Sequence, residues 1–360
     1  MLALTHSLVQ KTLYCMNNNS WSELLALING DYTGQPPVGF IIDSPWIPGW
    51  YGIPILQYYA SDTPWFESNL RAINRFPDVW FLPGFWAEYG MCTEPSAFGA
   101  KMIWLENNLP HAGKVAGSIE EAASLPQPNV RTDGLLPFVI TRLKQNETRI
   151  RDVGHNIRFA VTRGPLNIAS FLMGTSEFMM SLAMNPGESK AFIERITAFV
   201  CDWIQYQKEC FPSIDGILVL DDIIGFVGES EFTEFVVPFF DRIFRSVDVH
   251  ARFLHNDARG LITAKYLGEM HVNMFNFSFE HTLETIRELA GPEVVLVGNI
   301  PPRDVMANGT AGQVRDAVGK AMSGIHDHTR ILWSTGGGMP PDVKDANIKA
   351  FVHAVREFST

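Results

Sequence analysis

The feature that most restricts this chain is a rhythm. Short apolar runs alternate with helical patterns from residue 20 to the C-terminus. Seven runs lie at 38–43 (VGFIID), 78–82 (DVWFL), 157–162 (IRFAVT), 216–220 (GILVL), 272–277 (VNMFNF), 294–298 (VVLVG) and 330–333 (RILW). An eighth opens the stretch 251–260 (ARFLHNDARG). Runs so short and so continuously apolar are what parallel strands look like when both faces are buried. Helical spacing fills 65–75, 136–149, 168–173, 186–210, 231–247 and 345–358, and a helix opens at Ser20 and stops at Gly30. Eight strands, most followed by a helix, predict a (β/α)8 TIM barrel, class α/β, in one domain. Residues 1–19 are expected to form an N-terminal arm and 20–360 the barrel, with an irregular insertion at 100–135 between the second and third strands. A doubly wound sheet is the alternative. It would normally carry a glycine-rich turn after its first strand, where this chain has the Pro- and Trp-rich SPWIPGWY.

In such barrels chemistry sits at the C-terminal ends of the strands. Reading those ends collects Asp43, Glu88, Asp221, Asp222, His255, Asp257, Asn276, Glu280, Asn299 and Gly336-Gly337-Gly338. His255 and Asp257 are two apart, so extended backbone puts them on one face, about 7 Å between Cα atoms. An imidazole among carboxylates suits a divalent metal or a proton-transfer site. His255, Asp257 and Asp222 are therefore the candidate metal ligands, and His255, Asp222 and Glu88 the candidate catalytic groups. Of the adjacent acids 221 and 222, one should face away. Asp43, Trp46, Phe85, Tyr89, Asn276 and Asn299 are the expected substrate contacts, the aromatic residues forming a wall for a ring or a quaternary ammonium. The plainer alternatives stand beside these: a histidine that only bonds its neighbours, an aspartate that caps a helix, and aromatics that pack.

The net charge of −11 and the lack of any basic run argue against nucleic acid as a partner. No apolar run reaches 18 residues, so no membrane span is expected. The four cysteines have no C-x-x-C spacing and read as reduced thiols of a cytoplasmic protein.

The motifs HND at 255–257, EFVVPF at 234–239, VGNIPP at 297–302 and STGGGMPP at 334–341, with their order and spacing, resemble the uroporphyrinogen decarboxylase superfamily. The likeness runs over about residues 20–358 and is strongest from Asp215 onward. It implies a (β/α)8 barrel and either of two activities. Decarboxylases of the superfamily carry two arginines after the first strand and an aspartate after the second; here those segments read FIIDSPWIPGW and FLPGFWAEYG. The corrinoid-dependent methyltransferases bind zinc through H-x-C and G-C-G motifs. The resemblance puts His255 at the histidine, with Asp257 and Gly337 replacing the two cysteines. Loss of soft thiolates favours a harder N/O site, as in the O-demethylating members, whose Glu/His pattern is matched in part by Glu234 and His255.

The resemblance therefore implies a methyltransferase that moves a methyl group from a small methylated, methoxyaromatic-type donor to a corrinoid protein, with zinc or acid assistance at His255. The alternatives are a metal-free decarboxylase-like lyase acting on another carboxylate and a non-catalytic binding protein.

Overall fold

The computed structural model describes residues 19–359, so the expected N-terminal arm lies outside it but for Asn19. The strands are β1 (Val38–Ile41), β2 (Val79–Leu82), β3 (Met102–Ile103), β4 (His111–Ala112), β5 (Phe159–Arg163), β6 (Gly216–Leu220), β7 (Ala251–Asn256), β8 (Met274–Phe277), β9 (Val295–Ile300) and β10 (Ile331–Thr335). β3 and β4 make a separate antiparallel hairpin. The other eight form one parallel sheet in the order β2-β1-β10-β9-β8-β7-β6-β5. That is the cyclic order of a (β/α)8 barrel cut between β2 and β5, and it excludes the doubly wound alternative, whose strand order reverses at a switch point.

Strand alternation sorts the side chains into two cores. Ile41, Leu82, Phe159, Val161, Leu218, Leu220, Phe253, Met274, Val297 and Leu332 fill the interior. Phe40, Phe81, Ala160, Val219, Leu254, Phe275, Leu296 and Trp333 pack outward against the helices. The helix Asn19–Asn29 plugs the N-terminal end of the barrel with Leu24, Leu27 and Ile28. Arg330 closes that helix by donating to the carbonyls of Ile28 and Asn29, each at 3.1 Å.

The sheet has no backbone pairing between β2 and β5, so the barrel has a seam. Side chains satisfy the exposed edge of β5. The Gln207 amide accepts from Val161 N and donates to Val161 O, both at 3.1 Å, and Glu94 Oε1 accepts from Arg163 N at 3.0 Å. An open edge strand is thereby blocked without a neighbour strand. The insertion after β2 supplies Glu94 from the short helix Thr93–Ala97. Its stretch 100–135, expected to be irregular, also holds the β3–β4 hairpin and the helix Ile119–Ala123. The helix expected over 231–247 is two helices, Glu229–Phe235 and Val237–Phe244, because Pro238 cannot donate to a continuous ladder. No helix among the described residues is long and apolar enough to cross a membrane.

Candidate functional site

Inward parity carries past the apolar interior to polar residues at the rim. On β7, Phe253 is followed two residues on by His255 and then by Asp257; on β6, Leu220 is followed by Asp222. His255 Nε2 lies 3.7 Å from Asp222 Oδ1 and 3.9 Å from Asp257 Oδ2. One ligand atom from each lies within 4.8 Å of the others, the one such His/Cys/Asp/Glu group found among the described residues. The Asp257 backbone N–H donates to Asp222 Oδ1 at 3.1 Å and ties the two loops together.

Asn276 sets the imidazole. Its Nδ2 donates to Val297 O at 2.6 Å and to Thr335 O at 2.9 Å, which leaves Oδ1 as an acceptor, 2.7 Å from His255 Nδ1. Nδ1 therefore carries a proton, and in the neutral ring Nε2 carries the lone pair facing the two carboxylates. Burial and the neighbouring Asp257 push the Asp222 carboxyl up to about 6, against the pull of His255. A cation at this point would relieve that repulsion. A Cβ on Gly337 would stand 2.8 Å from Asp257 Oδ2, so Gly337 abuts the site and brings no side chain to it.

Asp221 faces the shell. Its Oδ2 accepts from Leu166 N at 2.9 Å and Asn167 N at 3.1 Å, and its Oδ1 from Ile223 N at 3.2 Å. It caps the helix Pro165–Met173, and Gly164 makes room for it: a Cβ there would meet Oδ2 at 2.3 Å.

Asp43 and Glu88 belong to a different cluster, which spans the seam. Arg163, the last residue of β5, follows Phe159 and Val161 in the inward parity. Its Nη2 meets Glu88 Oε2 at 2.9 Å, both side chains under a tenth exposed. Ser44 Oγ donates to Glu88 Oε1 at 3.0 Å. Burial and the Glu88 charge raise the Asp43 carboxyl well above the usual range, with Arg163 opposing. Burial likewise raises Glu94. Glu88 is thus placed as the partner of a buried arginine and is not brought to the triad. Arg163 lies one residue beyond the strand expected at 157–162 and brings a guanidinium to the rim.

The proposed aromatic wall is also corrected in part. Trp46 is buried, stacked on Trp50 with ring centroids 5.1 Å apart, and its Nε1 donates to Val343 O at 3.1 Å. Phe85 is buried against Phe66 and Trp65. Both serve the helical shell. Tyr89 is buried beside Tyr59 and Trp104. Asn276 holds His255 from behind, and Asn299 donates to the His281 carbonyl. Glu234 and Glu280 are exposed.

The Uroporphyrinogen decarboxylase (URO-D) family pattern matches residues 52–358. The uroporphyrinogen decarboxylase of Dichelobacter nodosus is 23% identical over 303 residues, 81% of this chain and 83% of that protein. That of Pseudomonas syringae pv. tomato is 21% identical over 310 residues, 81% and 82% of the two chains. Among solved structures, a methyltransferase from Methanosarcina mazei is similar at TM-score 0.78 and 17% identity, over 94% of this chain and 98% of that one. A B12-independent methionine synthase from Shewanella sp. W3-18-1 is similar at TM-score 0.52 and 10% identity, over 91% and 97%. These two likenesses concern the fold. The family match spans the barrel from the loop after β1 to the last helix, and the chain belongs to the uroporphyrinogen decarboxylase family of enzymes.

Proposed function

We propose that this chain is a methyltransferase that takes a methyl group from a small oxygen-methylated donor, of the aryl methyl ether class, and passes it to a corrinoid on a partner protein. One observation carries the reading: a buried imidazole, fixed from behind by Asn276, turns an uncommitted Nε2 toward two carboxylates. Nitrogen and oxygen donors of this kind fit a divalent ion such as zinc. Ligands on a tetrahedral zinc with bonds of about 2.0–2.2 Å stand about 3.4 Å apart; the two carboxylates lie 3.7 and 3.9 Å from the imidazole, within a group spanning no more than 4.8 Å, and would draw in around the ion. His255, Asp222 and Asp257 would hold the ion, which supplies Lewis acidity toward the donor's ether oxygen. The corrinoid supplies the reduced cobalt nucleophile.

The chain's own residues orient and screen. Asn276 keeps Nε2 forward. The backbone bond from Asp257 to Asp222 holds the two loops at one spacing. Gly337 leaves the side toward β10 open. The charge of Arg163 is already matched by Glu88, 2.9 Å from its Nη2, and the segments after β1 and β2 lack the arginine pair and the aspartate of the decarboxylases, which favours methyl transfer over decarboxylation. The likeness to a methyltransferase of Methanosarcina mazei supports the same choice. A reducing cytoplasm suits the reaction and the free thiols of Cys92, Cys201 and Cys210.

The test incubates the zinc-loaded chain with reduced cobalamin and a panel of methylated donors and follows methylcobalamin by absorbance. Formation from oxygen-methylated donors, lost in His255→Ala, is expected. No methylcobalamin from any donor contradicts the proposal. Carbon dioxide release from a carboxylate panel would move the assignment to a lyase, and tight ligand binding without turnover to a binding protein.

A further inference from the structure

A hollow of about 500 Å³ lies on the shoulder of the barrel mouth, with no residue of the triad in its lining. Its walls come from the segments after β1 and β2, the turn of the β3–β4 hairpin and the helix Leu136–Asp152. Tyr59, Tyr89 and Trp104 form an aromatic corner, with ring centroids 5.8, 6.0 and 6.2 Å apart and Trp104 set edge-on to both tyrosines. Leu56, Trp104 and Phe138 stay exposed at 38%, 38% and 59%, enough to leave a contiguous apolar rim uncovered. The size and the aromatic lining are those of a small-molecule site.

Arg142 borders the same hollow and is 4% exposed. Its Nε meets Asp62 Oδ1 at 2.8 Å and its Nη2 donates to the Tyr59 carbonyl. Its Nη1 is closed off from water and has no acceptor. A buried N–H without a partner is an exception that calls for an explanation. The Arg142 guanidinium lies over the Tyr89 ring, 5.4 Å from the centroid, and Tyr89 lines the hollow together with Trp104, which sits on a hairpin with strands of two residues each. A ligand that shifts this corner brings its own acceptor to the guanidinium. Asp62, the present partner, has a side chain 38% exposed, so water can solvate it if Arg142 turns.

The geometry points to a second binding site here, for a flat aromatic carboxylate whose ring packs into the Tyr59–Tyr89–Trp104 corner and whose carboxylate engages Arg142. This inference is independent of the reading of the triad. The test is calorimetric titration of the full chain with 2-naphthoate and with its uncharged counterpart, 2-naphthalenemethanol. Naphthoate is expected to bind one to one, and the alcohol about tenfold more weakly, because a charge-assisted bond is lost. Thr141→Trp, an exposed change that fills the hollow, is expected to abolish binding with the circular dichroism unchanged. Arg142→Lys should remove the preference for the acid, and His255→Ala should change nothing. The inference is overturned if naphthoate does not bind, if binding survives Thr141→Trp, or if His255→Ala abolishes it. It is also overturned if sedimentation shows a dimer that Thr141→Trp dissolves while naphthoate gives no heat, since a second copy would then cover this face.

Discussion

Two clusters of carboxylates occupy the rim of this barrel, and they differ in one component. The seam cluster has Asp43, Glu88 and Glu94 gathered on Arg163. The triad on β6 and β7 has Asp222 and Asp257 beside a histidine and no guanidinium. Exposure follows the same division. Glu88 and Arg163 have side chains 6% and 8% exposed, whereas Asp222 and Asp257 have 38% and 43%. A buried cation with its own partners is a finished structure, and removing it leaves uncompensated charge. A histidine whose lone pair meets only carboxylates at the mouth has room for a cation that the seam cluster already carries as Arg163. Acid clusters at a barrel rim are therefore not equivalent, and on the proposed reading the internal cation marks the structural one.

The largest effect that would break this contrast is on activity. His255→Ala should lower methyl transfer by about a hundred- to a thousandfold, against a stability cost of only about 1–3 kcal/mol from the acceptor left unpaired on Asn276. A comparable loss of activity in Glu88→Gln at normal stability would show that the seam cluster shares the chemistry.

Next comes stability. Arg163→Met strands buried carboxylates and should destabilise the fold by about 3–5 kcal/mol, read by urea denaturation. Asp222→Asn, at the more open site, should change it far less.

The third effect sharpens the role of Asn276. Without its carbonyl oxygen the ring of His255 loses its orientation, and zinc affinity should fall about 10–100-fold. Calorimetry on Asn276→Leu below its unfolding range measures this, and unchanged affinity would count against the positioning role.

The smallest effect concerns pH. The Asp43 carboxyl is raised in the folded state. Its burial is therefore free of penalty below the ordinary carboxyl range, and the penalty grows as pH rises until the folded-state pKa is passed. Asp43→Asn should raise the thermal midpoint by about 2–4 °C at pH 8, with the gain vanishing near pH 4. A loss of stability at pH 8 would mean that the ionised carboxylate is needed by Arg163.

The barrel was legible in the sequence because each strand of the eight-stranded sheet is largely buried on both faces and announces itself as an apolar run. The triad was legible for a related reason: β6 and β7 end where the apolar pattern ends, and parity then carries Leu220 to Asp222 and Phe253 to His255. Asp222 reads as the inward acid of the pair, and the structure bears out that parity by turning Leu220 inward and Asp221 to the helix it caps. The seam was hidden. Gln207 and Glu94 lie far from β5 in sequence and bond its backbone only through tertiary packing. Arg163 was lost to a one-residue boundary, the least secure part of any strand assignment. Trp46 and Phe85 were misplaced because an aromatic after a strand can turn to the mouth or to the helices, and their partners, Val343 and Phe66, are set by other segments.

The central claim is that the triad, and not the seam cluster, takes a cation. Zinc titration of the metal-free chain, followed by calorimetry and by elemental analysis after dialysis, tests it most directly. One ion per chain is predicted for the wild type and for Glu88→Gln, with none retained by His255→Ala or Asp257→Ala. A wild-type chain that binds no divalent metal, or one whose ion survives His255→Ala, would contradict the account.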